Sequence, residues 1–251
     1  MTSKSRYPAI FLFALAAAAV HAVEESEPDN GTDPTKQTQA VTLAYEHLEL
    51  RDGFYRGTFK PQYKVPLGSR TSVTLLVPVV STDLAGNEDY DLGDASLKLS
   101  SVVKLTRDHG IVLQGEVVFD TAAREELGGQ ATVFKGTVIY AKFLSSGAIF
   151  APAFGFNDSF GPDGRPVRSF VADFYYVPKL RDRRYYMTID PTLTLDREND
   201  AEFASIAVTL GRVIGPAFGG SSQVYMKPGV FVGGDRPADW GIEIGYKVIG
   251  F

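Results

Sequence analysis

Charged residues recur at alternate positions along several segments of this sequence, and they offer the most chemistry. The basic ones are Arg56, Lys60, Lys64, Lys98, Lys104, Lys135, Lys227 and Lys247. The acidic ones, which are fewer, are Glu46, Glu116, Asp173, Asp190 and Glu243. If all of them line one interior, it is mildly basic although the chain carries a net charge of −5. A ring of Lys and Arg favours anions in a pore. The alternative is that the charges pair with each other and fill the interior.

Catalytic patterns are weak. His21, His47 and His109 fall in different segments, and the sequence contains no Gly-x-Ser-x-Gly elbow and no phosphate-binding glycine loop. A membrane phospholipase built on Ser and His stays an open alternative, because His47 lies on a predicted strand. We predict no enzyme, no catalytic residue and no cofactor.

One acidic stretch resembles a calcium loop, with oxygen-bearing side chains at Asn87, Asp89 and Asp91. The glycine of an EF-hand comes one place too late, at Gly93, and Lys98 stands where the bidentate Glu is needed. The pattern therefore predicts a solvated loop, and we predict no metal site.

Composition excludes several classes of protein. There is no cysteine, which excludes disulfides, thiolate metal sites and a Cys nucleophile. The pI near 5.3 argues against a nucleic-acid partner. Residues 1–22 have a basic start, an apolar run and a small-residue site after Ala22, so they predict a cleaved signal peptide. Residues 23–38 are polar with two prolines and predict a flexible arm.

From residue 39 onwards, apolar and polar residues alternate with the period of a β-strand. We predict one all-β domain over 39–251, with about twelve strands in an antiparallel up-and-down barrel. The predicted strands are 39–48, 54–65, 71–81, 95–106, 111–120, 133–144, 148–157, 167–179, 185–196, 201–212, 222–232 and 239–251.

The connections alternate in length. Short turns are predicted at 67–70, 107–110, 145–147 and 181–183, with a slightly longer one near 215–220. Longer loops are predicted at 83–94, 121–130 and 158–166 on the other side. Short periplasmic turns and longer outer loops are typical of transmembrane β-barrels.

The apolar faces carry aromatic residues near strand ends, as in the interfacial girdles of membrane barrels. The predicted girdle residues are Tyr55, Tyr63, Tyr176, Tyr185, Trp240 and Tyr246. The final strand puts Trp240, Ile242, Ile244, Tyr246 and Val248 on one face, and the sequence ends on Phe251. Phe251 is out of phase with that face, and a bulge near Ile249 and Gly250 would restore it.

Two stretches are similar to a known family. Asp91–Leu99 (DLGDASLKL) and Val224–Trp240 (VYMKPGVFVGGDRPADW) resemble bacterial outer-membrane proteins grouped as transporters of the MetA pathway of phenol degradation. The resemblance implies a β-barrel with a role in solute uptake and supplies no catalytic residues.

These patterns predict a porin-like barrel in the outer membrane of a Gram-negative bacterium. Its expected partners are outer-membrane lipids, a small solute such as an anion or aromatic acid, and the barrel-assembly machinery acting on the last strand. The alternatives are a closed structural or surface-interaction barrel and a soluble, secreted, lipocalin-like ligand carrier.

Overall fold

A computed structural model describes residues 29–86, 88, 90–160 and 164–251. The predicted signal peptide, its cleavage site and residues 23–28 of the predicted arm lie outside the described residues. Asn87 and Asp89 of the acidic stretch also lie outside them.

The described chain is almost entirely β-structure, in a closed antiparallel barrel of twelve wall strands. The strands are β1 (Ala40–Leu50), β2 (Tyr55–Pro66), β3 (Thr71–Leu76), β4 (Val79–Thr82), β5 (Asp91–Leu92), β6 (Ser96–Leu105), β7 (His109–Val118), β8 (Val133–Phe143), β9 (Ile149–Ser159), β10 (Arg168–Val177), β11 (Tyr185–Asp196), β12 (Ala201–Ala217), β13 (Gly220–Val232) and β14 (Ala238–Ile249). Each predicted strand coincides with one of these, except that the third is split into β3 and β4. The predicted fold class is confirmed.

The split in the third wall strand falls at Val77 and Pro78. Proline has no N–H for the ladder, so the strand is interrupted there. The carbonyl of Pro78 instead accepts a hydrogen bond of 3.0 Å from the N–H of Gly93, and β4 pairs with the short β5. The two 3-10 turns, Arg51–Gly53 and Glu125–Leu127, lie in loops.

The barrel closes where the first strand meets the last. β1 pairs with β2 along one side and with β14 along the other, so that Val41 lies opposite both Tyr63 and Val248. Closure removes the unpaired edges that an open sheet would expose. We call the contact between β1 and β14 the closing seam.

The two rims of the barrel differ as predicted. The rim that carries the start of β1 and the end of β14, here the terminal rim, has the connections 67–70, 106–108, 144–148, 178–184 and 218–219. The opposite rim, here the loop rim, has the connections 51–54, 83–95, 119–132, 160–167, 197–200 and 233–237.

One connection was predicted wrongly, since the turn near 215–220 is among the shortest rather than longer. β12 extends to Ala217, with a register shift between Val213 and Gly215, and turns at Phe218 and Gly219. Both turn residues have positive φ, 51° and 84°, as the tight hairpin turns require.

The barrel is inverted relative to a soluble protein, because its outward side chains are apolar and its inward ones are polar. Exposed side chains include Phe154 (62%) and Ile244 (53%), whereas the fully buried ones include Ser72 and Gln223. A soluble ligand carrier would bury its apolar face, so this arrangement contradicts the lipocalin-like alternative. Among the described residues, no helix is both long and apolar enough to cross a bilayer.

The bulge near Ile249 and Gly250 that would return Phe251 to the outward series does not form. Pairing of β14 runs without a bulge from Trp240 to Ile249, and Gly250 then adopts φ 73° while its N–H donates to the carbonyl of Gln39. The left-handed conformation of Gly250 takes the chain out of the strand. Phe251 therefore lies half-buried at the terminal rim, beside Gly219.

Candidate functional site: the interior of the barrel

Residues 29–38, here the inner segment, lie inside the terminal rim. The ammonium of Lys64 on β2 donates to the carbonyl of Lys36 at 2.9 Å, and the hydroxyl of Ser72 on β3 donates to Oε1 of Gln37 at 2.5 Å. On the other side of the barrel, the hydroxyl of Tyr175 on β10 donates to the carbonyl of Thr32 at 3.1 Å. The segment therefore crosses the mouth from one wall to another.

The inner segment is held in shape by its own short polar side chains. Oδ1 of Asp33 accepts hydrogen bonds from the N–H and the hydroxyl of Thr35. Oδ1 of Asp29 accepts from the N–H of Gly31, and its Oδ2 accepts from the hydroxyl of Thr38 at 2.6 Å. Such side chains replace backbone partners in turns.

The described part of the predicted arm, residues 29–38, is held against the barrel by these hydrogen bonds. Its composition cannot build an apolar core, but Thr32, Thr35 and Gln37 are all buried against the barrel. A polar interior supplies hydrogen-bond partners that composition alone does not reveal. The closely spaced Asp, Asn, Gly and Thr residues at 29–35 were the sequence signal for this ordered turn structure.

Three cavities of the described interior carry most of its charged side chains, and the first lies between the inner segment and the wall. This terminal cavity has a volume of about 230 Å³. Its charged lining residues are Lys36, Lys64, Lys98 and Lys247 against Asp29 and Asp33, so lysines outnumber aspartates. The barrel wall adds hydroxyl and amide groups to the lining at Thr42, Gln62, Ser72, Thr74, Ser100 and Gln114.

The second cavity, here the central cavity, adjoins the first, because Lys98 and Gln114 line both. Its volume is about 360 Å³. Its charged residues are Lys98 and Lys135 against Glu116 and Asp173, which balance in number. Nζ of Lys98 lies 3.8 Å from Oε2 of Glu116, and the hydroxyl of Ser96 donates to Oε1 of Glu116.

The third cavity, here the loop-side cavity, is about 250 Å³ and is lined by ion pairs. Lys60 pairs with Glu243 and also with Glu46, at 3.2 Å, while Nζ of Lys227 lies 2.8 Å from Oδ2 of Asp190. The charges here are largely neutralised in place. Local charge therefore changes along the interior, from paired at the loop side to unpaired lysine at the terminal side.

The loop rim is partly covered by the connection 119–132. Asp94 fixes this loop, because its carboxylate accepts hydrogen bonds from the backbone N–H groups of Thr121, Ala122 and Gly129 at 3.0, 2.9 and 2.6 Å. Leu127 is buried, and Nη2 of Arg56 donates to the carbonyl of Glu126 at 3.1 Å. The predicted interior residue Arg56 therefore holds this loop rather than lining a cavity.

The predicted interior residues are thus distributed over the three cavities, with Arg56 beneath the loop, but Lys104 is placed differently. The register shifts between Val102 and Lys104, so that Lys104 lies opposite Ile111 instead of continuing the inward series. Lys104 is exposed and contributes to none of the three cavities. A bulge inserts one residue and reverses the faces beyond it, which strict alternation does not show.

The predicted girdle residues lie near the two rims. Tyr55 and Trp240 lie at the loop-rim ends of β2 and β14. The centres of their rings are 5.7 and 5.4 Å from the centre of the His47 ring. Tyr63, Tyr176, Tyr185 and Tyr246 lie towards the terminal rim. His47 therefore belongs to an outward aromatic cluster. In the described part of the chain, no three His, Cys, Asp or Glu side chains are arranged to hold a metal ion.

Comparison with known proteins finds similar folds among solved structures but no match by sequence. No protein-family model matches the sequence, and no curated protein matches it. Similar solved structures include an outer-membrane channel from Pseudomonas putida F1, with a TM-score of 0.67 at 14% identity, covering 90% of this chain and 100% of that one. The NanC porin has a TM-score of 0.56 at 11% identity, covering 85% of this chain and 99% of that one.

The KdgM porin is similar as well, with a TM-score of 0.56 at 8% identity, covering 83% of this chain and 98% of that one. The fold is that of outer-membrane β-barrel channels. The porin-like fold predicted from the sequence is confirmed.

Proposed function

We propose that the protein is a non-catalytic channel for small solutes in the outer membrane of a Gram-negative bacterium. The observation that carries this proposal is the charged, cavity-bearing interior of a closed barrel whose outer surface is apolar. The likeness in fold to an outer-membrane channel and two porins supports it. The apolar outer surface would contact lipid, after export by a cleaved signal peptide and insertion by the barrel-assembly machinery.

The path through such a channel is narrow. Barrels of eight strands are filled by side chains, and those of sixteen or more leave a water channel, so twelve strands leave limited space. The inner segment and the loop 119–132 reduce it further, from opposite rims. The proposed solutes are therefore small.

The proposed solutes are also anionic. The terminal and central cavities share Lys98, and the terminal one carries an excess of lysine, which favours anions in a pore. The resemblance to transporters of the MetA pathway of phenol degradation supports aromatic acids as candidates within this class. That family assignment is itself part of the proposal.

Conductance across planar lipid bilayers tests the channel. We expect discrete current steps from the mature protein, with a reversal potential that shows preference for chloride over potassium. Lys98→Glu should reduce that preference, because it reverses a charge shared by two cavities. Lys104→Glu, which changes the same charge outside the cavities, is the matched control and should leave the preference as it is.

A closed structural barrel is the second candidate, and the inner segment across the terminal mouth favours it. The two functions differ in one measurement. If the mature protein shows no current steps at any applied voltage, but a variant lacking residues 23–38 does show them, the channel is closed by its N-terminal residues. A protein silent in both forms is not a channel.

A further inference from the structure

Lys64 and Lys247 of the terminal cavity lack the close acidic partners that Lys60 and Lys227 have in the loop-side cavity. Within the described residues, no carboxylate oxygen lies within 4 Å of the ammonium of Lys64 or Lys247, and Lys98 approaches Glu116 only at 3.8 Å. Lys60 and Lys227, by contrast, form close ion pairs. An ammonium group removed from bulk water without a counter-charge is costly, so the cavity is poised to accept an anion.

The terminal cavity is lined by three lysines that lie close enough to interact, namely Lys64, Lys98 and Lys247. Lys64 experiences the charges of both other lysines, and all three line the same space of about 230 Å³. Nζ of Lys64 already donates to the carbonyl of Lys36, and Nζ of Lys247 lies 5.7 Å from the ring centre of Tyr225. An ammonium has three donors, so both groups keep hydrogen-bonding capacity for a ligand.

The chain places a carboxylate of its own beside these lysines. Asp29 acts electrostatically on both Lys64 and Lys247, while its oxygens accept hydrogen bonds from Gly31 and Thr38. The backbone at Gly31 passes over Lys247 so closely that a Cβ there would lie 3.0 Å from Nζ. The neighbourhood of the lysines therefore already accommodates a carboxylate, without a direct ion pair.

We propose that the terminal cavity is a binding site for a small carboxylate, held between Lys64, Lys98 and Lys247 with the inner segment as one wall. The site rests on the proposed channel function and names its class of solute. Pockets for drug-sized ligands have volumes of about 300–1,000 Å³, so this smaller cavity suits a smaller molecule. All its cations are lysines, which attract an anion as compact point charges. The central cavity, which shares Lys98 and Gln114 with it, lies on the side from which a solute would approach.

Isothermal titration calorimetry on the detergent-solubilised mature protein tests the site, with benzoate as the probe. Benzamide has the same shape without the charge, and we expect it to bind at least tenfold more weakly. Lys64→Met and Lys247→Met should each weaken benzoate binding about tenfold, whereas Lys104→Met, outside the cavities, should leave it within about twofold. Equal binding of benzoate and benzamide, or unchanged binding in both lysine variants, would refute the site. Binding of inorganic phosphate in preference to benzoate would refute the carboxylate assignment.

A second variant guards against loss of folding. Asp29→Asn removes a negative charge beside the site, so benzoate should bind it more tightly than the unmodified protein, and weaker binding by folded protein contradicts the proposal. Heat-modifiable migration in gels shows which variants are folded. Conductance without benzoate binding would overturn the proposed binding site but not the proposed channel. Benzoate binding without conductance would overturn the channel but not the binding site.

Discussion

Replacement of Lys60 by methionine tests whether an ion triad holds the closing seam. Glu46 on β1 and Glu243 on β14 are directly opposite each other across this seam. Lys60, from β2, contacts both carboxylates. The side chains of Lys60, Glu243 and Glu46 are 18%, 16% and 29% exposed, so solvent screens them only in part.

The magnitude follows from the charges left behind. Side chains opposite each other on paired strands have Cβ atoms about 5 Å apart, and two like charges at that distance repel by about 3 kcal/mol at an effective dielectric constant of about 20. Breaking a fully buried ion pair costs about 3–5 kcal/mol. Because these side chains are partly exposed, we expect Lys60→Met to lower the free energy of unfolding by about 2–3 kcal/mol.

The assay is urea unfolding of the barrel folded into lipid vesicles, followed by its migration in gels without heating. The double variant Lys60→Met, Glu46→Gln is the matched control. It removes the repulsion while Glu243 keeps the hydrogen bond of 2.7 Å from the hydroxyl of Tyr225. We expect it to recover at least half of the loss. A single variant as stable as the unmodified protein, or a double variant no more stable than the single, would refute the triad.

Two further substitutions test packing and the loop. Gly211→Ala should cost about 1–3 kcal/mol in the same unfolding assay, because its Cβ would meet the buried ring of Tyr186 at 2.0–2.4 Å. Gly234→Ala, with no atom within 4 Å of its Cβ, is the control, and equal stability of the two variants would contradict this prediction. Asp94→Ala should make the loop 119–132 cleavable by added protease while the barrel stays folded. The reason is that three backbone N–H groups of the loop lose their hydrogen bonds to the Asp94 carboxylate. Resistance equal to that of the unmodified protein would show that Asp94 does not hold the loop.

The barrel itself could be predicted because each wall strand carries its own evidence. Two-residue periodicity in a stretch such as β11 assigns the inward and outward sides without knowledge of its neighbours. The alternation of short and long connections then orders the strands. The departures occur where backbone geometry changes locally. Pro78 interrupts a ladder, and the bulge before Lys104 moves that residue out of the interior.

The interior was less predictable, because its behaviour depends on which charges meet across strands. Lys60 and Lys64 look alike in the sequence, both inward on β2 and four residues apart. Strand register brings Lys60 to two glutamates, whereas Lys64 reaches the carbonyl of Lys36 from a segment that the sequence presents as a loose arm. Counting charges therefore predicts a basic interior but not where the basic charge remains unpaired. Reversing Lys60 would disturb the closing seam as well as the interior, so Lys98 is the better probe of ion preference.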